Sequence, residues 1–236
     1  MDTRTETATL PTVPALAAMI DHAVLKPTQV ERDVVEACTV ARREHIASVC
    51  VKPFYVPDCS RLLQGSGVRT STVVGFPHGG QAPEVKVATS LQALRDGATE
   101  LDMVINIGAL IERDYATVER EIASVVGVGH ASESVVKVIL ECTYLDDAQK
   151  AIAAQIAQAS GADFVKTSTG FGPEGATVED VRLLRSVVGP KMGVKAAGGI
   201  RTLDDALAMI AAGADRLGTS STAAILGELR QRRGET

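Results

Sequence analysis

Eight short apolar runs, set apart by longer stretches, place the tightest limit on what this chain can fold into. They cover residues 17–25, 47–51, 70–75, 101–107, 135–140, 164–167, 193–197 and 216–219. Their length and apolar content fit strands covered on both faces. Five intervening stretches, residues 84–96, 115–126, 146–159, 177–188 and 203–212, space their apolar residues as a helix does. In the first of these the stripe is Val85, Ala88, Leu91 and Leu94. Thr177 with Asp180, and Thr202 with Asp205, match a polar N-cap followed three residues later by an acid.

An internal echo fixes the phase of this alternation. Gly97-Ala98-Thr99, Gly161-Ala162-Asp163 and Gly213-Ala214-Asp215 each stand between a helical stretch and an apolar run, where glycine suits the left-handed residue closing a helix. Five residues beyond each glycine come Asp102, Lys166 and Gly218. The same strand offset thus delivers an acid, an amine and a glycine. Two strand-helix units fit between successive echoes. Eight units in about 250 residues make a closed (β/α)8 barrel the expected fold. An open doubly wound sheet is the alternative, but it usually carries a glycine-rich dinucleotide loop after its first strand. Asp21-His22-Ala23-Val24-Leu25-Lys26-Pro27 is not one. With no linker or low-complexity segment, one catalytic domain is expected over residues 17–236. Residues 1–16 read as a flexible polar lead-in.

Composition narrows the partners. A net charge of −5, 3% aromatic residues and no tryptophan argue against nucleic acid, which calls for a basic footprint and often stacking rings. No apolar run approaches the roughly 18 residues of a membrane span. The start of the chain lacks the pattern of a secretory signal, so a cytoplasmic location is expected. Cys38, Cys50, Cys59 and Cys142 form no C-x-x-C pair, and His22, His45, His78 and His130 show no ligand spacing. No metal is expected.

Two lysines point to chemistry. Lys166 ends the run Phe164-Val165-Lys166 and is followed by Thr167-Ser168-Thr169-Gly170. Lys195 repeats the pattern in Gly193-Val194-Lys195-Ala196-Ala197-Gly198-Gly199. Burying an ammonium is costly, and losing its proton is the cheapest response. A neutral lysine is a nucleophile that can form an imine with a carbonyl. Lys137 is a third strand amine, but no glycine-hydroxyl loop follows it directly. Asp102 puts a carboxylate in an apolar strand, where a buried acid is rarely unpaired and a carboxylate beside an amine can move protons. The loops after the last three runs hold Gly170 and Gly172, then Gly198, Gly199 and Arg201, then Gly218, Ser220 and Ser221. Glycines let backbone N–H groups approach an anion, and barrels often hold phosphate after their seventh and eighth strands.

Taken together, these stretches closely resemble deoxyribose-phosphate aldolases, imine-forming (class I) lyases. The resemblance runs from Asp21 to Ser221 through Val49-Cys50-Val51, Gly75-Phe76-Pro77, 100–108, 137–141, 164–170, 195–202 and 218–221. It implies a (β/α)8 barrel that reversibly cleaves 2-deoxy-D-ribose 5-phosphate to acetaldehyde and glyceraldehyde 3-phosphate, without cofactor or metal, and a dimeric or tetrameric homo-oligomer is the expected assembly. By the same resemblance Lys166 forms the imine, Lys195 tunes it and Asp102 relays protons. Gly170, Gly198, Gly199, Arg201, Gly218, Ser220 and Ser221 bind the phosphate, with Asp21, Cys50 and Lys137 nearby. A free lysine titrates near 10.4. Two like charges about 4 Å apart at an effective dielectric of about 20 repel by about 4 kcal/mol. A charged Lys195 is therefore expected to supply most of what holds Lys166 neutral. Three positions depart from the family pattern. Ala23 stands where threonine is common, Phe171 where lysine is common, and no C-terminal tyrosine is present. The competing readings are a phosphosugar isomerase working through an enediol, and a non-catalytic sugar-phosphate binder.

Overall fold

The computed structural model describes residues 10–235. The elements run α1 Val13–Ala17, β1 Ile20–Val24, α2 Glu31–Glu44, β2 Ser48–Val51, α3 Val56–Leu63, β3 Arg69–Val74, α4 Pro83–Arg95, β4 Glu100–Val104, α5 Ile107–Ile111, α6 Tyr115–Ala131, β5 Val135–Ile139, α7 Asp147–Ala159, β6 Phe164–Lys166, α8 Val178–Val188, β7 Gly193–Ala197, α9 Leu203–Ala212, β8 Arg216–Thr219 and α10 Thr222–Arg233. The strands pair in parallel in sequence order, and β1 pairs with β8 to close the barrel. This is the (β/α)8 barrel expected from the alternation. The three echo glycines take left-handed backbones, with φ of 102° at Gly97, 81° at Gly161 and 111° at Gly213.

The helices unforeseen from periodicity are α1, α2, α3, α5 and α10. In α2 the stripe Val34, Ala37, Cys38 and Ala41 is buried, but the helix starts without a side-chain hydroxyl or carboxylate cap of its own. Asn106 caps α5 by accepting the Ala109 N–H at 3.1 Å, which ends the strand expected to reach residue 107 at Val104. The lead-in also needs correction. Residues 1–9 lie outside the described residues, but Thr12 caps α1, whose Val13, Leu16 and Ala17 are buried. Arg233 donates to the carbonyls of Leu10 and Pro11 at 3.1 and 3.2 Å. The amphipathic length of α1 is one turn, too short for a periodicity to register.

Strand alternation divides the interior into two regions. Ile20, Val49, Val51, Leu101, Met103, Val136, Val138, Val165, Val194 and Leu217 join the helices in one apolar core. The residues between them turn into the barrel. Most barrels fill that space with branched apolar side chains. Here it contains Asp21, Ser48, Ser71, Glu100, Asp102, Lys137, Lys166 and Lys195, all buried. A second buried ion pair lies outside the barrel. Lys86 Nζ sits 2.6 Å from Glu121 and donates to Val104 O at 2.8 Å, while Glu121 accepts the Asn106 N–H at 2.5 Å. That pair ties α4 and α6 to the end of β4, two residues beyond Asp102.

Candidate active site

Register brings the lysines together. Lys166 and Lys195 are direct partners on β6 and β7, and Asp102 is the partner of Lys137 across β4 and β5. Side chains at matched positions of parallel strands point the same way, here into the barrel. Both Lys166 Nζ and Lys195 Nζ lie 2.7 Å from Asp102 Oδ2. Lys137 takes the other oxygen at 2.8 Å and also meets Glu100 at 2.5 Å. Lys195 reaches Asp21 Oδ2 at 2.5 Å, and Arg216 reaches Asp21 Oδ1 at 2.6 Å. Ser48 donates to the same Asp21 oxygen at 2.6 Å. Asp21 Oδ2 has no partner with hydrogen-bond geometry. Its short distance to Lys195 makes that contact an ion pair held by charge.

The charges nearly balance. Asp21, Glu100 and Asp102 face Lys137, Lys195, Arg216 and Lys166. Three carboxylates against four bases leave one cation in excess, and a neutral Lys166 removes it. Arg69 also reaches Glu100, but its side chain is half solvated at the rim. Individual environments agree with this count. Burial lowers the Lys166 pKa, and the Lys195 ammonium pushes the same way against the pull of Asp102. Burial also acts downward on Lys195 and Lys137, but the carboxylates around each override it and raise both above the usual lysine value. For Asp102 and Asp21 burial acts upward, and the surrounding cations reverse it to hold both carboxyls below the usual range. Of the two influences that lower the Lys166 pKa, burial is therefore the larger and the Lys195 charge the smaller. That reverses the order expected from two point charges, because Lys166 is taken almost wholly out of water.

A cavity of about 300 Å³ opens at the C-terminal ends of the strands, the face where barrel enzymes place their chemistry. Lys166 and Lys195 stand in its wall with Asp21 and Cys50. Burial keeps the Cys50 thiol above its ordinary pKa, with Asp102 adding to the effect. Asp102 and Lys137 lie beneath, fully buried and outside the lining. His22 turns away, its Nδ1 2.8 Å from Thr222 Oγ1, and burial lowers its pKa to about 4.

The expected anion loops also gather here. Gly170, Gly198, Gly199, Arg201, Gly218 and Ser220 line the cavity. Gly170, Gly198 and Gly199 all have positive φ. A Cβ on Gly198 would come within 2.9 Å of Gly175 Cα. These loops thus close on one another backbone to backbone. Ser221 does not line the cavity. Its N–H donates to Thr219 Oγ1 at 2.9 Å at the start of α10. Glu141 anchors the loop after β6 by accepting the Thr169 N–H at 3.1 Å, with the Thr169 hydroxyl also donating to it. Part of the lining is apolar, through Ala23, Leu25 and Phe171. Leu25, Cys50 and Val73 cluster with Ala23 and Phe76, and Phe76 meets Phe171 edge to face at 5.3 Å.

Several site residues escaped sequence reasoning. Glu100 precedes Asp102 by two and Arg216 precedes Gly218 by two. Period-two counting back from the recognised residues would have found both. Thr169, Lys26 and Gln29 line the cavity from loops, where no periodicity operates.

A closed parallel barrel whose C-terminal cavity is walled by two buried amines, with Asp21 beside them and Asp102 beneath, defines the class of barrel enzymes equipped for carbonyl chemistry. The chain belongs to the DeoC/LacD family of aldolases, whose model matches residues 15–227. It is 53% identical over 208 residues to the deoxyribose-phosphate aldolase of Thermococcus gammatolerans, covering 87% of this chain and 92% of that one. It is 50% identical over 211 residues to deoxyribose-phosphate aldolase 1 of Bacillus licheniformis, covering 89% and 94%. Among solved structures it is similar to the tetrameric deoxyribose phosphate aldolase of Aeropyrum pernix, with a TM-score of 0.88, 36% identity, and coverage of 94% and 93%.

Proposed function

We propose that this protein catalyses the reversible aldol cleavage of 2-deoxy-D-ribose 5-phosphate to acetaldehyde and D-glyceraldehyde 3-phosphate through an imine on Lys166. One observation carries the assignment of the nucleophile. Lys166 is the amine whose pKa is lowered among the three in the barrel, and it opens onto the cavity while Lys137 does not.

The neutral amine of Lys166 attacks C1 of the open-chain aldehyde. The carbinolamine loses its oxygen as water and leaves a protonated imine. Proton removal from the C3 hydroxyl then breaks the C2–C3 bond, and its electron pair flows into the iminium nitrogen. Glyceraldehyde 3-phosphate departs. The enamine left on Lys166 is protonated at C2 and hydrolysed to acetaldehyde. Asp102 touches both Lys166 and Lys195, so a proton can pass among them with little movement. The iminium is the electron sink. The phosphate docks on the loops after β6, β7 and β8, where glycines free the backbone N–H groups to approach it.

No helix among the described residues is long and apolar enough to cross a membrane. A homo-oligomer is consistent with the tetramer described for the Aeropyrum pernix relative.

Borohydride reduction with acetaldehyde present tests the reading. It should add an ethyl group to Lys166, located by peptide mass mapping, and abolish activity. Label at Lys137 or Lys195 would overturn the assignment, and a failure to trap any adduct would favour an enediol isomerase.

A further inference from the structure

Two cations in the cavity wall take no part in the lysine chemistry. Of the bases lining it, Lys166 is paired with Asp102, and Lys195 with both Asp102 and Asp21. Arg201, after β7, and Lys26, after β1, line the same cavity. Neither side chain is in an ion pair among the described residues. Arg201 falls within the loops already expected to hold phosphate. Lys26 does not.

Barrel closure puts Lys26 beside those loops. β1 is hydrogen-bonded to β8, with Asp21 opposite Gly218. The segment following β1 is thus next in the ring after the loops of β7 and β8, although it is nearly 200 positions away in the chain. The segment is also held. Lys52 Nζ donates to the carbonyls of Lys26, Pro27 and Gln29 at 3.2, 3.3 and 2.8 Å, and lies 5.3 Å from the centre of the Tyr55 ring. Gln29 Oε1 accepts the Lys26 N–H at 2.9 Å. One ammonium is committed to the backbone of this segment, which fixes where it carries its own exposed lysine. On the other side of the cavity the residue after Gly170 is Phe171, which brings a ring and no charge.

We propose that Lys26 binds the substrate phosphate from the β1 side of the cavity, and that Lys52 is the positioning residue that holds it there. The backbone N–H groups after β6, β7 and β8 supply directional hydrogen bonds to a dianion but no formal charge. Lys26 and Arg201 supply the charge from either side. Lys52 acts only through the segment it clamps. The inference rests on the phosphosugar reading and adds a residue to it.

Steady-state kinetics with 2-deoxyribose 5-phosphate and with unphosphorylated 2-deoxyribose test it. A hydrogen bond to a charged group is worth enough to change affinity by about tenfold or more. Lys26→Met should therefore raise KM for the phosphorylated sugar by about that factor, with kcat within about twofold. kcat/KM for the free sugar should stay within about twofold. Lys26→Arg should restore much of the phosphate preference. Lys52→Met should give the same selective rise, and adding it to Lys26→Met should cost nothing further, as expected of two residues acting as one unit. Equal effects on both sugars, or none, in Lys26→Met would overturn the proposal while leaving a phosphate-preferring wild type intact. A wild type that does not distinguish the sugars would overturn the phosphosugar reading and this inference together.

Discussion

Lys166 and Lys195 converge on a single carboxylate oxygen, each 2.7 Å from Asp102 Oδ2. Two amines on one oxygen cannot both be charged without repulsion, and their surroundings decide which gives up its proton. Lys195 has Asp21 as a second anionic partner, and Lys166 has none among the described residues. The carboxylates hold the charge on Lys195, while burial and that neighbouring charge draw the Lys166 pKa below the ordinary lysine value. The asymmetry comes from a residue on β1, far from either lysine in the chain.

Removing the Lys195 charge should therefore move the pH dependence of imine formation. Lys166 is reactive only as the free base, so activity rises as pH passes upward through its pKa. In Lys195→Leu one influence lowering that pKa is gone, and Asp102 is left free to favour the protonated amine. Both changes raise the Lys166 pKa. The alkaline shift of the rate profile and loss of activity at pH 7 should appear together, each pKa unit being a factor of ten in free amine once the group is mostly protonated. Lys195→Arg should keep a charge but misplace it, because guanidinium is larger and planar. An unmoved profile in Lys195→Leu, measured as the rate of borohydride trapping against pH, would mean that burial alone activates Lys166.

Asp102→Asn keeps the shape of the side chain and removes its charge. Groups that move protons in a transition state typically contribute about 100- to 10,000-fold. Turnover should fall by that order. A variant within a few-fold of wild type would reduce Asp102 to a partner in the ion network.

Ser220 lines the cavity with the glycines of the loops after β6 and β7, whereas Ser221 sits outside the lining. Ser220→Glu places a negative charge where the dianion is expected to dock. It should harm use of 2-deoxyribose 5-phosphate far more than use of 2-deoxyribose, and Ser221→Glu should discriminate less. Equal losses on both sugars in Ser220→Glu would count against a phosphate site there.

Lys86→Met should destabilise the fold without touching the cavity. It leaves Glu121 buried with no cation and Val104 O without its donor. Breaking such a pair from one side typically costs about 3–5 kcal/mol. For a chain of this size that corresponds to a fall in Tm of roughly 6–20 °C, readable by calorimetry. A Tm within about 2 °C of wild type would mean that the helices relax enough to let water reach Glu121.

Alternation of apolar runs with helical stretches carries the barrel in the sequence itself. Strands buried on both faces need continuous apolar content, and helices packed on one side need a stripe, so the two periods are legible locally. Lys166, Lys195 and Asp102 were equally legible, because a charge in an apolar strand is conspicuous wherever it falls. The helices α2, α3 and α10 were not, and the lack of a side-chain cap does not account for it, since α4 begins without one as well. Tertiary structure alone decided which of the two lysines has its pKa lowered. That choice depends on Asp21 from β1 standing between Lys195 and Arg216. Closure of β1 against β8 likewise put Lys26 among the loops after β7 and β8. Propensity and periodicity act over a few residues, whereas charge acts through space. The balance of the barrel interior therefore existed only once eight strands had brought their inward side chains to a common axis.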